Sequence, residues 1–323
     1  MAAVTVSGSI SGSPISFFAS NSGQAGLAAS IFAASGAVLS TGGTLTSNDT
    51  VDVGGPGSIL SGNASFGTGT GAATAAVALG ANGTQFQTYV TGTSVDSAVT
   101  AADNSNSSIV NDNPSGNLVA YTGAGANLLE GLAGGNTFTT GTGGNDLVFL
   151  DGSSNTLTSN GSDAVLVGGP STITAGSGGH DNVLMTSGTT LNFINGTAVG
   201  VDSIAGASGS TIAVAGTGMT SITAGTGPET FVVNTAAGNT TLNGNGATTD
   251  TFEFQNTSTV ASAMVNAVTN FATGDSVLVH GYSGIEYGIL STATGSTLVL
   301  TDGSSVTFNG VSAAALAAAT KIV

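Results

Sequence analysis

The chain has 323 residues, of which 17 are acidic and one, Lys321, is basic, giving a formal net charge of −16. That balance excludes a nucleic-acid binder, which neutralises phosphates with Lys and Arg, and argues against docking on anionic lipid. Cysteine is absent, which excludes disulfides and thiolate metal sites, while a 40% hydrophobic content distinguishes the chain from a disordered one.

The first 120 residues read as a small β-rich domain, or alternatively as irregular early coils with a helical cap. Ala3 to Ile10 alternates like a strand, and Ala37 to Val53 suggests short strands between glycine pairs. Asn21 to Ser35 predicts a short helix, with a cap at Asn21 or Ser22, Leu27 and Ile31 on one face and Gly36 as a stop. Ala72 to Ala81 is a mild apolar run, and Ala101 to Ser115, rich in Asn, Ser and Asp, reads as a linker. The N-terminus lacks the basic segment of a secretory signal peptide. No run approaches 18 consecutive apolar residues, so no membrane-inserted helix is expected.

Residues 121–255 carry a repeat. Large apolar residues recur at Leu129, Phe138, Val148, Leu157, Val165, Ile173, Val183, Leu191, Ile204, Ile212, Ile222, Phe231, Leu242 and Phe252, about nine and a half residues apart on average. That step is too long for a helical turn but suits a short strand plus a tight turn. Two such units make a coil of about 18 residues, and stacked coils pair equivalent strands in parallel. The expected fold is therefore all-β: a right-handed parallel β-roll or β-helix, with the N-terminal β-rich domain before it and a β-rich cap, 256–323, after it.

A polar residue stands two positions before each apolar one. Taken alternately, these form two edges. One runs Asn127, Asp146, Asp163, Asp181, Asp202, Thr220, Thr240, and the other Asn136, Asn155, Ser171, Thr189, Ser210, Glu229, Asp250. Four successive carboxylates on one edge repel one another, so solvent screening or a cation between them is expected.

Gly141 to Phe149 (G-T-G-G-N-D-L-V-F) and Gly176 to Leu184 (G-S-G-G-H-D-N-V-L) resemble the nonapeptide G-G-x-G-x-D-x-U-x of the RTX (repeats-in-toxin) family, each lacking the second glycine. Thr158 to Leu166 is a poorer copy, and Ala224 to Val232 has Glu229 in the Asp position. The resemblance implies Ca²⁺ bound between coils of a parallel β-roll, with Asp146, Asp163 and Asp181 as ligands and Gly144, Gly161 and Gly179 in the turns. Asp202 continues the same edge. The other edge departs from the family pattern, being mostly Asn, Ser and Thr.

Asp250 to Phe254 (D-T-F-E-F), Asn270 to His280 (N-F-A-T-G-D-S-V-L-V-H) and the D-G turn within Ser296 to Gly310 are similar to the end domain of type I secreted proteins. That implies one-step export to the outside of a Gram-negative bacterium, with folding coupled to extracellular calcium. The tail from Val311 to Val323 is apolar and built of small residues, as a C-terminal export signal would be.

Reactive groups are scarce. There are two histidines, His180 in a repeat turn and His280 at a strand end, and no Trp or Arg. No Lys follows the glycine-rich segments, so they are not phosphate loops. The composition points away from an enzyme and toward an exported structural protein that assembles with copies of itself, as a surface layer (S-layer) or a biofilm-matrix filament. Cell-surface polysaccharide is a further partner to expect. The alternative is an adhesin or carbohydrate-binding module of a secreted polysaccharide-active system.

Overall fold

The computed structural model describes residues 121–323, less the stretches 132–133, 144, 153, 177–179, 197–200, 235–237, 247–248, 257–264 and 283–286. Before residue 121 it describes strands alone. The chain divides into two compact units, Met1–Ser171 and Thr172–Val323. Among the described residues the secondary structure is β-strand except for one short helix, α1 (Ala313–Ala319). The strands stack as the parallel coils of a β-solenoid.

In the first unit, strands alternate between two sheets along the chain, and each pairs with the next strand but one. One sheet runs Ile59–Ser61, Gln87–Val90, Ser107–Asn111, Leu128–Gly131, Leu147–Leu150 and Ala164–Val167, all parallel. The other runs Thr50–Val53, Thr74–Leu79, Asp96–Ala101, Leu118–Tyr121, Thr137–Thr139 and Asn155–Ser159, also parallel. Ala2–Val6 and Ile15–Ala19 form a separate antiparallel pair. The parallel register thus begins well before residue 121. The segment read as a linker contains the strand Ser107–Asn111, whose Ile109 is fully buried; a buried β-branched residue outweighs the polar composition around it. The helix expected over 21–35 lies outside the described residues.

The second unit repeats the arrangement. Asn182–Met185, Val201–Ala205, Met219–Thr223, Thr240–Asn243, Val265–Thr269 and Ser305–Asn309 are parallel neighbours. Thr190–Asn195, Thr211–Gly216, Thr230–Asn234, Thr251–Gln255, Ser276–His280 and Thr320–Ile322 form the facing series. At the end of the first series the direction reverses. Gly295–Leu300 pairs antiparallel with Ser305–Asn309, and Tyr287–Thr292 pairs antiparallel with Gly295–Leu300 as the outermost strand. The turn between the first two contains Asp302 and Gly303, the glycine at φ 87°.

The core follows from the repeat. Every one of the fourteen apolar positions is at most 3% exposed. Register stacks Ile109, Leu129, Val148 and Val165 in one column of the first unit. Leu191, Ile212, Phe231, Phe252 and Val277 form a column of the second. Each such side chain contributes ~1.5–3 kcal/mol on leaving water, and only because its equivalent in the next coil covers it. Toward the C-terminal end the column becomes aromatic. Phe231 stacks on Phe252 at 5.3 Å between centroids, Phe252 meets Phe271 at 5.6 Å, and Phe271 meets Phe308 edge-on at 5.4 Å.

Helix α1 was not expected from the tail composition. It begins at Ser312, whose Oγ accepts from the Ala315 N–H at 3.2 Å, and it buries Leu316. Alanine has the highest helix propensity of all residues, and a serine cap followed by an alanine-rich run is a helix start. At the turns, coils approach backbone to backbone. A Cβ on Gly141 would lie 2.1 Å from the Gly123 carbonyl oxygen, and one on Gly169 would lie 2.5 Å from that of Gly152.

Candidate functional site

The polar positions of both edges point inward. Strand side chains alternate between faces, so residues two apart share a face; a polar residue two before a buried apolar one is carried into the interior with it. Asp146, Asp163, Asp181 and Asp202 are between 0% and 2% exposed. They are therefore not screened by solvent. Gly161 is buried in the turn ahead of Asp163, and Gly144 and Gly179 lie outside the described residues.

Asp146, Asp163 and Asp202 each accept the backbone N–H of the equivalent residue in the preceding coil. In the first unit Asp146 Oδ1 accepts from the Asn127 backbone N–H at 2.7 Å and from Asn127 Nδ2 at 2.9 Å. Asp163 Oδ1 accepts from the Asp146 N–H at 3.0 Å. The remaining oxygens take hydroxyls: Thr122 Oγ1 donates to Asp146 Oδ2 at 3.1 Å, and Thr140 Oγ1 and Ser159 Oγ donate to Asp163 Oδ2 at 2.6 and 2.7 Å. In the second unit Asp202 Oδ1 accepts from the Asp181 N–H at 2.8 Å, and Asn266 Oδ1 from the Thr240 N–H at 3.0 Å.

The other edge uses the same geometry. Asn155 Oδ1 accepts from both the N–H and Nδ2 of Asn136, each at 3.0 Å. In the second unit Asp250 Oδ1 accepts from the Glu229 N–H at 3.0 Å, and Asp275 Oδ1 from the Asp250 N–H at 2.8 Å. Asn266 and Asp275 extend the ladders beyond the positions identified in the sequence. Thr122, Thr140 and Ser159 supply a second row of donors. Asn266 and Asp275 carried the same signal as the others, a polar residue two before Val268 and Val277; the hydroxyl row carried none, because serine and threonine are abundant throughout.

These groups serve the chain because a buried N–H without an acceptor costs about 1–3 kcal/mol, and each of these positions has one to satisfy. The electrostatic consequence is strong. Burial, then the neighbouring Asp163, push the Asp146 carboxyl from 3.8 up to about 8. Burial raises Asp163 as well, against the hydroxyls of Thr140 and Ser159. Asp202, Glu229 and Asp275 are all raised, in each case chiefly by burial.

As to calcium, the donor set around Asp146 and Asp163 consists of N–H and hydroxyl groups already pointed at the carboxylates, whereas Ca²⁺ takes six to eight oxygen ligands. A cation there would have to displace those donors. Asp202 Oδ2 differs: it is buried and has no hydrogen-bond partner. Among the described residues no three His, Asp or Glu side chains are gathered as a metal centre. His180 is exposed, and its Nδ1 accepts from the Val201 N–H at 3.1 Å. His280 Nδ1 lies 3.5 Å from Glu253 Oε1, with its side chain 53% exposed.

The outer faces carry rows of hydroxyl residues, with Glu253 as a charged neighbour of the row in the second unit. Thr190, Thr211, Thr230, Thr251 and Ser276 are register partners on five successive strands of the second unit. Thr137 and Thr139 pair with Thr156 and Thr158 in the first. No family model, curated protein or solved structure matches the chain.

Proposed function

We propose that this chain is a non-enzymatic extracellular structural protein that assembles with copies of itself into a surface layer or matrix filament. One observation carries the reading: Asp146, Asp163, Asp202, Asp250 and Asp275 are spent inside the coils as backbone acceptors, while the outer face presents aligned hydroxyl rows such as Thr190, Thr211, Thr230, Thr251 and Ser276. The hydroxyl row itself adds no charge to such a contact, although Glu253 shares its face and each chain carries −16 overall. Export by the type I route to the exterior of a Gram-negative bacterium belongs to the same reading, resting on the nonapeptide and end-domain resemblances.

Calcium is a separable part of the proposal. Asp202 Oδ2, buried and lacking a well-formed hydrogen bond although the Asn195 side chain is close to the carboxylate, is the oxygen proposed for a cation. Electron microscopy of the purified chain, with calcium and with EGTA, tests both parts. Concentration-dependent polymers support assembly, and a chain that stays monomeric at high concentration in both conditions refutes it. Polymers indifferent to EGTA refute the calcium part alone. Glycan binding by a monomeric chain would favour the adhesin alternative.

A further inference from the structure

Three acids of the second unit stand on successive coils of one edge. Glu229 precedes Thr230–Asn234, Asp250 precedes Thr251–Gln255 and Asp275 precedes Ser276–His280. They are 3%, 1% and 5% exposed. Asp275 uses both oxygens as acceptors, Oδ1 for the Asp250 N–H and Oδ2 for the Ala272 N–H at 2.7 Å. Glu229 is placed differently. The residue before it on this edge is Ser210, whose N–H is already bonded to the Ala207 carbonyl at 3.0 Å. The Glu229 side chain therefore turns to its own corner, where Oε1 accepts the Gly225 N–H at 2.7 Å. Its Oε2 is buried without a hydrogen-bond partner.

We infer that Glu229 Oε2 and the Asp250 carboxylate form a proton-binding site, which takes one proton from solvent and clasps their two coils together. A buried carboxylate oxygen without a donor is stabilised by a cation or by a proton. The described histidines lie elsewhere, His180 against the Val201 N–H and His280 beside Glu253, and Lys321 is exposed. A metal ion would need several free oxygens, whereas Glu229 Oε1, Asp250 Oδ1 and both Asp275 oxygens already hold N–H groups. Protonation turns Oε2 from an orphan acceptor into a donor and removes one charge from the edge. The proton belongs to the pair rather than to one acid. Burial first, and then the Asp250 charge, raise the Glu229 carboxyl above its ordinary 4.5, and the same two causes raise Asp275. The stability lent by the site is full below about pH 4.5 and is lost as pH rises through the folded value. These coils are thus held more tightly in acid, whatever the fate of the assembly, export and calcium readings.

The test is hydrogen–deuterium exchange of the full chain, read by mass spectrometry over Thr230–Asn234 and Thr251–Gln255 and corrected for intrinsic amide chemistry. This local readout separates the site from the Asp146–Asp163 pair of the first unit. In the wild type, protection should fall by about fivefold or more between about pH 5 and about pH 8. Glu229→Gln keeps an oxygen for the Gly225 N–H and puts an amide N–H where the proton would sit. Its protection should differ by less than about twofold between the two conditions and exceed that of the wild type at the higher pH. Infrared spectroscopy at the lower pH reads the proton directly: the carbonyl stretch of a protonated carboxyl should be weaker in Glu229→Gln than in the wild type, a change that a merely structural glutamate would not give. Wild-type protection that does not fall, a Glu229→Gln chain that keeps the fall or does not fold, or an unchanged infrared band overturns the proton site. Protection restored by calcium at the higher pH in the wild type, and not in Glu229→Gln, gives the site to a cation and overturns it as well.

Discussion

The two edges of one coil in the first unit solve the same problem with different chemistry. Asn155 and Asp163 each hand one oxygen to the backbone N–H of the coil before. The amide edge is electrically neutral, and Asn155 Nδ2 finds its own acceptor in the Gly152 carbonyl at 2.7 Å. The carboxylate edge needs extra donors, which Thr140 and Ser159 supply, and it still confines two acids with no cationic side chain beside them among the described residues. The comparison teaches that the ladder requires an acceptor oxygen, not a charge. At Asp146, where the acceptor is a carboxylate, burial and the neighbouring Asp163 also favour a bound proton.

Removing the acceptor from the carboxylate edge has the largest expected effect. Asp163→Ala strands the Asp146 N–H and two hydroxyls, and urea unfolding should show a loss of about 3–5 kcal/mol. Asn155→Ala strands fewer donors and should cost about 2–3 kcal/mol in the same assay. The third expectation concerns pH. The folded chain holds a proton on Asp146 that the unfolded chain, with its carboxyl near 3.8, has released. The stability tied to this group is therefore full below about pH 4, declines as pH rises, and levels off above about pH 8. Thermal melts between pH 4 and 9 measure the decline. Asp163→Asn keeps one acceptor oxygen and removes the neighbouring charge, so it should change stability at neutral pH by less than ~1 kcal/mol and flatten that decline. If Asp163→Asn were as damaging as Asp163→Ala, the two edges would not be equivalent. Smallest of all, Thr156→Ser on the outer face should stay within about 0.5 kcal/mol.

Much of the architecture was legible because the repeat was. A step near nine and a half residues excludes helix, and the apolar residue of each step, from Leu129 to Phe252, is buried where the coil places it. The polar partner at minus two was legible in position but not in its surroundings: repulsion among the carboxylates suggests solvent screening or a cation, whereas two-residue periodicity sends Asp146 and Asp163 inside, away from solvent. Composition misled in two other places. The polar letters around Ile109 concealed a strand, because one buried β-branched side chain decides pairing there. The alanine-rich tail concealed α1, because small apolar residues suit an export signal and a helix alike, and Ser312 was the distinguishing letter. The hydroxyl row of Thr122, Thr140 and Ser159 could not have been singled out, since its partners are 4 to 24 residues away in sequence.

The columns of the second unit have one more consequence. Ile212, Phe231, Phe252 and Val277 each have a register partner on the strand to either side, so cooperativity there is passed between nearest neighbours, as along a zipper. Amide protons on the middle teeth, around Phe231, should exchange with deuterium most slowly. Those of Thr320–Ile322, held from one side, should go first.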